Sequence, residues 1–162
     1  MKKLIVSFAL MVITLASYAQ VYKMYSTRNY HNQLRLNTMT GEVQQIQDDG
    51  QSWIICSARE ISGDKESRFC LYETQNMWTF ILLDSYNGRL WQVQYSTQDL
   101  DNLFCIPINK YELVENNERC IFSIQPLTSM YQYYLINDRT GDMWKFQWST
   151  KGDDYRWIEK FK

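Results

Sequence analysis

Asn37-Thr-Met-Thr-Gly41-Glu-Val-Gln44-Gln-Ile-Gln47, Asp84-Ser-Tyr-Asn-Gly88-Arg-Leu-Trp91-Gln-Val-Gln94 and Asn137-Asp-Arg-Thr-Gly141-Asp-Met-Trp144-Lys-Phe-Gln147 are three copies of one segment. Each begins with Asp or Asn, whose side chain bonds its own backbone two residues on. Each then reaches a glycine, which takes the left-handed conformation that a type I turn with a following bulge requires. A strand therefore enters each turn and another leaves it. The entering strands read Gln33-Leu-Arg-Leu36, Phe80-Ile-Leu-Leu83 and Tyr133-Tyr-Leu-Ile136.

Earlier runs align as well: Val21 to Tyr25, Arg68 to Tyr72 and Arg119 to Ser123. Later ones are Trp53 to Cys56, Leu103 to Ile106 and Arg156 to Glu159. Each unit thus has about four strands, and the units run roughly over 20–60, 66–114 and 117–162. Short runs of Tyr, Trp, Phe, Ile and Val bounded by Asn, Asp and Gly make this an all-β chain. No helix is expected beyond the first residues. After the glycine, Trp91, Val93 and Tyr95 point one way, as do Trp144, Phe146 and Trp148. That aromatic face belongs against a neighbouring sheet. In the first copy it is Gln44, Ile46 and Asp48, which suits an edge.

The pattern Asp-x-x-Asn-Gly-x-x-Trp at Asp84 to Trp91, approximated at Asn137 to Trp144, resembles the blade motif of quinoprotein-type β-propellers. The resemblance implies that Trp91 and Trp144 dock one blade on the next. It implies no quinone, and no cofactor is expected. Propellers usually need four to eight blades to close. Three units fit an open arc of propeller-like blades that closes by forming a homo-oligomer, a trefoil-like closed body, or a simple twisted β-meander. The trefoil hides its edges better, and exposed edges are a liability.

Residues 1–19 read as a secretory signal peptide. Lys2 and Lys3 precede an apolar run from Leu4 to Ala16, and Ser17 and Ala19 place cleavage before Gln20. What remains, 20–162, is a single domain with no further run of membrane length, so it is not membrane-spanning after cleavage. The expected location is periplasmic or extracellular. Lys2 and Lys3 are two of 17 basic residues against 18 acidic, so the remainder carries a net charge of −3. No basic face invites nucleic acid.

Four cysteines follow the signal: Cys56, Cys70, Cys105 and Cys120. In an oxidising compartment they invite disulfides. The repeat favours Cys56–Cys70 and Cys105–Cys120, each closing a loop at a unit junction. Their spacing does not suit zinc.

Candidate chemistry is sparse. His31 is the only histidine, and no nucleophile signature accompanies it. Acidic pairs recur after the third strand: Asp48 with Asp49, Asp99 with Asp101, Asp153 with Asp154. They suit hairpin turns, although two carboxylates are also what a glycosidase needs. His31, Trp78 and Tyr131 occupy one equivalent position at the mouth of the second strand. Aromatics there can stack on sugars or anchor a protein. Gln47, Gln94 and Gln147 also match, and bonds to adjacent backbone are their simplest use. The sequence thus points to a non-catalytic exported module that binds a glycan or an envelope or extracellular protein. The alternatives are a secreted hydrolase using Asp99 and Asp101, and a structural subunit of a larger β-assembly.

Overall fold

The computed structural model describes residues 20–115 and 119–161. Residues 1–19, read above as a signal peptide, lie outside them. Twelve strands form three separate four-stranded antiparallel sheets, each a meander in chain order. Sheet 1 holds β1 (Tyr22–Ser26), β2 (Asn32–Asn37), β3 (Val43–Gln47) and β4 (Ser52–Cys56). Sheet 2 holds β5 (Phe69–Glu73), β6 (Thr79–Asp84), β7 (Leu90–Gln94) and β8 (Phe104–Pro107). Sheet 3 holds β9 (Phe122–Pro126), β10 (Gln132–Asn137), β11 (Met143–Gln147) and β12 (Trp157–Lys160).

The three turns that follow the second strand of each sheet share two hydrogen bonds. Gly41, Gly88 and Gly141 have φ of 79°, 76° and 77°. Their N–H groups donate to Asn37, Asp84 and Asn137 at 2.8–2.9 Å. The side-chain oxygens of those three residues accept the N–H two residues on, each at 3.0 Å. A Cβ at φ near +80° is strained, so glycine is needed here.

Sheet 2 lies between the other two. Its β6 is buried along its whole length, as expected of Phe80-Ile-Leu-Leu83 with both faces covered. β2 alternates instead: Leu34 and Leu36 are buried, Gln33 is exposed. One core joins Leu34, Leu36 and Val43 of sheet 1 to Phe80, Leu82, Trp91, Val93 and Tyr95 of sheet 2. A second joins Ile81, Leu83 and Leu90 of sheet 2 to Tyr133, Leu135, Trp144, Phe146 and Trp148 of sheet 3. The aromatic leading faces of sheets 2 and 3 therefore each pack on the mainly aliphatic trailing face of the sheet before. Sheet 1 turns its own leading face, with Gln44 and Ile46, outward.

A polar bond crosses each interface. Gln45 is fully buried. Its Nε2 donates to the Ser96 carbonyl at 2.7 Å and to Asn32 Oδ1 at 2.6 Å. Its Oε1 accepts the Ser96 N–H at 3.3 Å. Gln92, also fully buried, accepts the Ser149 N–H at 3.2 Å. Thr79 stands where sheet 1 has Asn32, and Gln92 Nε2 has no acceptor among the described residues.

Three expectations need correction. The sheets form no closed barrel, so the arrangement is the open, blade-like one and not the trefoil-like body. The open edges are short strands, and Pro107 and Pro126 end two of them; both features discourage further pairing. Second, Ala58–Ile61 forms one helical turn capped by Ser57, and Ile61 plugs the first core. Third, the disulfide joins Cys56 to Cys105, with Cα atoms 5.2 Å apart. Cys70 and Cys120 are free thiols, and Cys120 Sγ donates to the Ser67 carbonyl at 3.2 Å. Stacking sets β4 over β8, whereas β5, which carries Cys70, lies at the opposite edge of sheet 2. Three strand spacings of about 4.8 Å put that edge beyond disulfide reach. The bond closes a separation of 49 residues, worth about 4 kcal/mol in the chain-entropy account.

The middle turn begins with a carboxylate where the others begin with Asn. Asp84, with a side chain 2% exposed, takes the Arg68 guanidinium at 2.7 Å. Hydrogen bonding to Asp84 holds the Arg68 pKa above its ordinary value. Strand register puts Val21 with Asn37 in these places in unit 1 and Ile121 with Asn137 in unit 3, so the first strand of unit 3 matches two residues later than the expected alignment of Arg68 with Arg119. Arg68→Val alone should destabilise by on the order of 3 kcal/mol, because a buried carboxylate loses its cation. Adding Asp84→Asn should recover most of that loss in urea denaturation; additive losses would contradict this account.

Candidate functional site

The three equivalent residues His31, Trp78 and Tyr131 each precede a second strand, and the structure puts each against the residue that follows a third strand. Backbone bonds fix the pairing: Asp48, Tyr95 and Trp148 donate N–H to the carbonyls of His31, Trp78 and Tyr131, each at 3.1 Å. Side chains meet in the same pairs. Trp78 and Tyr95 have ring centroids 5.3 Å apart, and Tyr131 and Trp148 4.9 Å, both within the range of favourable tilted contacts. In unit 1 His31 Nδ1 lies 3.0 Å from Asp48 Oδ2. Both of those side chains are exposed, so the pair contributes at most about 1 kcal/mol.

Beside each pair opens a cleft. The first holds about 320 Å³ and is lined by Asn29, His31, Gln47, Asp48, Asp49 and Thr97. The second holds about 430 Å³, with Trp78, Gln94, Tyr95, Thr97, Gln98 and Asp99 on its walls. The third holds about 210 Å³, between Tyr131, Gln147, Trp148, Thr150, Lys151 and Tyr155. Thr97 borders both the first and the second. The inner ring of each aromatic pair is fixed: Tyr95 is 1% and Trp148 0% exposed. The Trp148 indole N–H donates to the Met130 carbonyl at 3.0 Å, and burial pushes the Tyr95 phenol above its ordinary pKa. The outer ring is available: Trp78 is half-buried and Tyr131 is 36% exposed.

Gln94 and Gln147 support the loops that form the outer walls of the second and third clefts. Gln94 Nε2 donates to the Asn102 carbonyl at 3.4 Å and Gln147 Nε2 to the Tyr155 carbonyl at 3.1 Å. The acidic residues also serve their turns. Asp99 accepts from Asp101 N–H and from Asn102 Nδ2. Asp49 accepts from Gln51 N–H at 3.0 Å, and Asp153 pairs with Arg156. Among the described residues no cluster of His, Cys, Asp and Glu is suited to a metal.

Sequence alignment alone brings out His31, Trp78, Tyr131 and the three glutamines. It misses Thr97, Lys151 and Tyr155, although the loops of sheets 2 and 3 match in length and each opens on an aromatic residue followed by Ser-Thr, Tyr95-Ser-Thr97 and Trp148-Ser-Thr150; the loop of sheet 1 is shorter and breaks the threefold match. It also misses Gln45 and Gln92 as interface residues; their matching positions two residues before Gln47 and Gln94 were the available signal. Compared with protein-family models, with curated proteins and with solved structures, the chain matches none.

The two rings of the third cleft should separate cleanly by mutation. Trp148→Ala should cost about 3–5 kcal/mol as a core truncation, while Tyr131→Ala should cost about 1 kcal/mol or less. Denaturant midpoints of the two variants check this.

Proposed function

We propose that this is an exported, non-catalytic binding protein that holds an extended glycan along its row of clefts. The observation that carries the reading is the threefold recurrence of one arrangement at the same end of the sheets. In two clefts a partly open aromatic ring lies beside hydroxyls, amides and a charged residue, and in the first His31 takes the place of the ring. Such a surface offers an apolar face for a sugar ring and polar groups for its hydroxyls. A protein-anchoring site would instead offer a well-packed apolar centre. The clefts are open and polar-rimmed, which favours the glycan. Because Thr97 is common to two clefts, a chain of sugars suits them better than one small molecule. Weak sites in a row gain from linkage.

Two features support export. The Cys56–Cys105 bond belongs in an oxidising compartment, and residues 1–19 have the signal pattern. Among the described residues no helix is long and apolar enough to cross a membrane. The hydrolase alternative draws no support from Asp99, whose two carboxylate oxygens are committed to its own loop.

Affinity electrophoresis in gels containing soluble neutral polysaccharides tests the proposal. The protein should be retarded by at least one polysaccharide, and Tyr131→Ala and Trp78→Ala should each weaken the retardation about tenfold. No retardation by any polysaccharide, or retardation indifferent to both variants, would reject it.

A further inference from the structure

The trailing face of sheet 3 repeats a pattern that is covered elsewhere in the molecule. In sheet 1 the face consists of Leu34, Leu36, Val43 and Gln45, and sheet 2 covers it. In sheet 2 it consists of Ile81, Leu83, Leu90 and Gln92, and sheet 3 covers it. The corresponding residues of sheet 3 are Tyr134, Ile136, Met143 and Lys145. Among the described residues no sheet covers them. Phe161, 48% exposed, extends the apolar area with its ring 5.4 Å from that of Tyr134. A hollow of about 400 Å³ lies between Lys145, Glu159, Lys160 and Phe161.

Two features identify what covers this face. The first is the character of the opposite end. On the leading face of sheet 1, Gln33, Arg35 and Gln44 replace Phe80, Leu82 and Trp91. Arg35 donates to Gln44, and Gln44 to Glu42. Head-to-tail stacking of two chains would bury that polar group, at a cost. The second is charge. Strand register sets Lys145 directly across from Glu159 on the trailing face of sheet 3. A twofold axis between them brings each Lys145 opposite the Glu159 of another copy, and apolar surface meets apolar surface. A face that is complementary to itself suits the twofold dimer, the commonest closed symmetry.

We propose that two copies of this chain associate through the trailing faces of their third sheets, with Lys145 of each opposite Glu159 of the other. The inference does not depend on the glycan reading. Light scattering on a sizing column tests it with the wild-type protein and two charge reversals, Lys145→Glu and Glu159→Lys. The wild type should run at twice the chain mass at high concentration. Each variant alone places like charges together twice and should run at the chain mass. An equal mixture of the two variants restores both opposite-charge pairs and should return to twice the mass, which also shows that both variants are folded. A wild type at the chain mass across a concentration series, or a mixture that stays at the chain mass, would overturn the proposal. So would dissociation caused by Arg35→Glu, which lies on the other end and reports head-to-tail contact.

Discussion

The buried amide of Gln45 accepts the N–H of Ser96 and donates to its carbonyl, and the rest of the stack depends on the constraint that this contact records. One sheet can follow another only if its leading face meets the trailing face of its predecessor in a fixed register. In that register Trp91 and Tyr95 enter the core beside Leu34, Leu36 and Val43, and the loop after β7 comes within reach of Gln45. One step later Trp144 and Trp148 reach Ile81, Leu83 and Leu90, and the loop after β11 reaches Gln92. An unpaired backbone N–H buried at such a junction costs about as much as a lost hydrogen bond. The amide thus selects the register, while apolar burial supplies most of the stabilisation.

The same register explains the position of the clefts. A loop that is fixed from beneath by a glutamine of the preceding sheet presents its upper side in the same way in sheets 2 and 3. The aromatic pairs Trp78–Tyr95 and Tyr131–Trp148 follow, with one ring in the core and one at the rim. Sheet 1 has no predecessor among the described residues. Its corresponding residues are His31 and Asp48, a solvated pair in place of a packed one. Chemistry at the rim therefore tracks position in the stack.

Much of the fold was legible in the sequence because the turns are local. Asn37, Asp84 and Asn137 with their glycines encode a hairpin whatever surrounds them. The weak first face, Gln44 and Ile46, could be read as an edge for a similar reason: its composition states what it cannot bury. Closure was not legible, since it depends on which faces meet, and a repeat leaves that open. The disulfide shows the same limit. Cys56 and Cys70 are neighbours in sequence, but stacking brings the end of β4 to β8 and so to Cys105. The turn at Ala58–Ile61 is too short for any periodic signal. In the site, His31, Trp78 and Tyr131 could be found because they align in all three units, whereas the shorter loop of sheet 1 hides the match of Thr97 with Thr150, and Lys151 and Tyr155 stand where sheet 2 has Gln98 and Asn102.

Hydrogen exchange of three backbone amides, measured by NMR, tests the stacking most directly. Ser96 and Ser149 lie outside the strands, where amides normally exchange quickly, yet each donates to a buried glutamine of the preceding sheet. Asp49, the corresponding residue of sheet 1, is exposed. Slow exchange at Ser96 and Ser149 with fast exchange at Asp49, and loss of protection at Ser96 alone in Gln45→Ala, is the expected result. Exchange at Ser96 and Ser149 as fast as at Asp49 would mean that the sheets do not stack in this register.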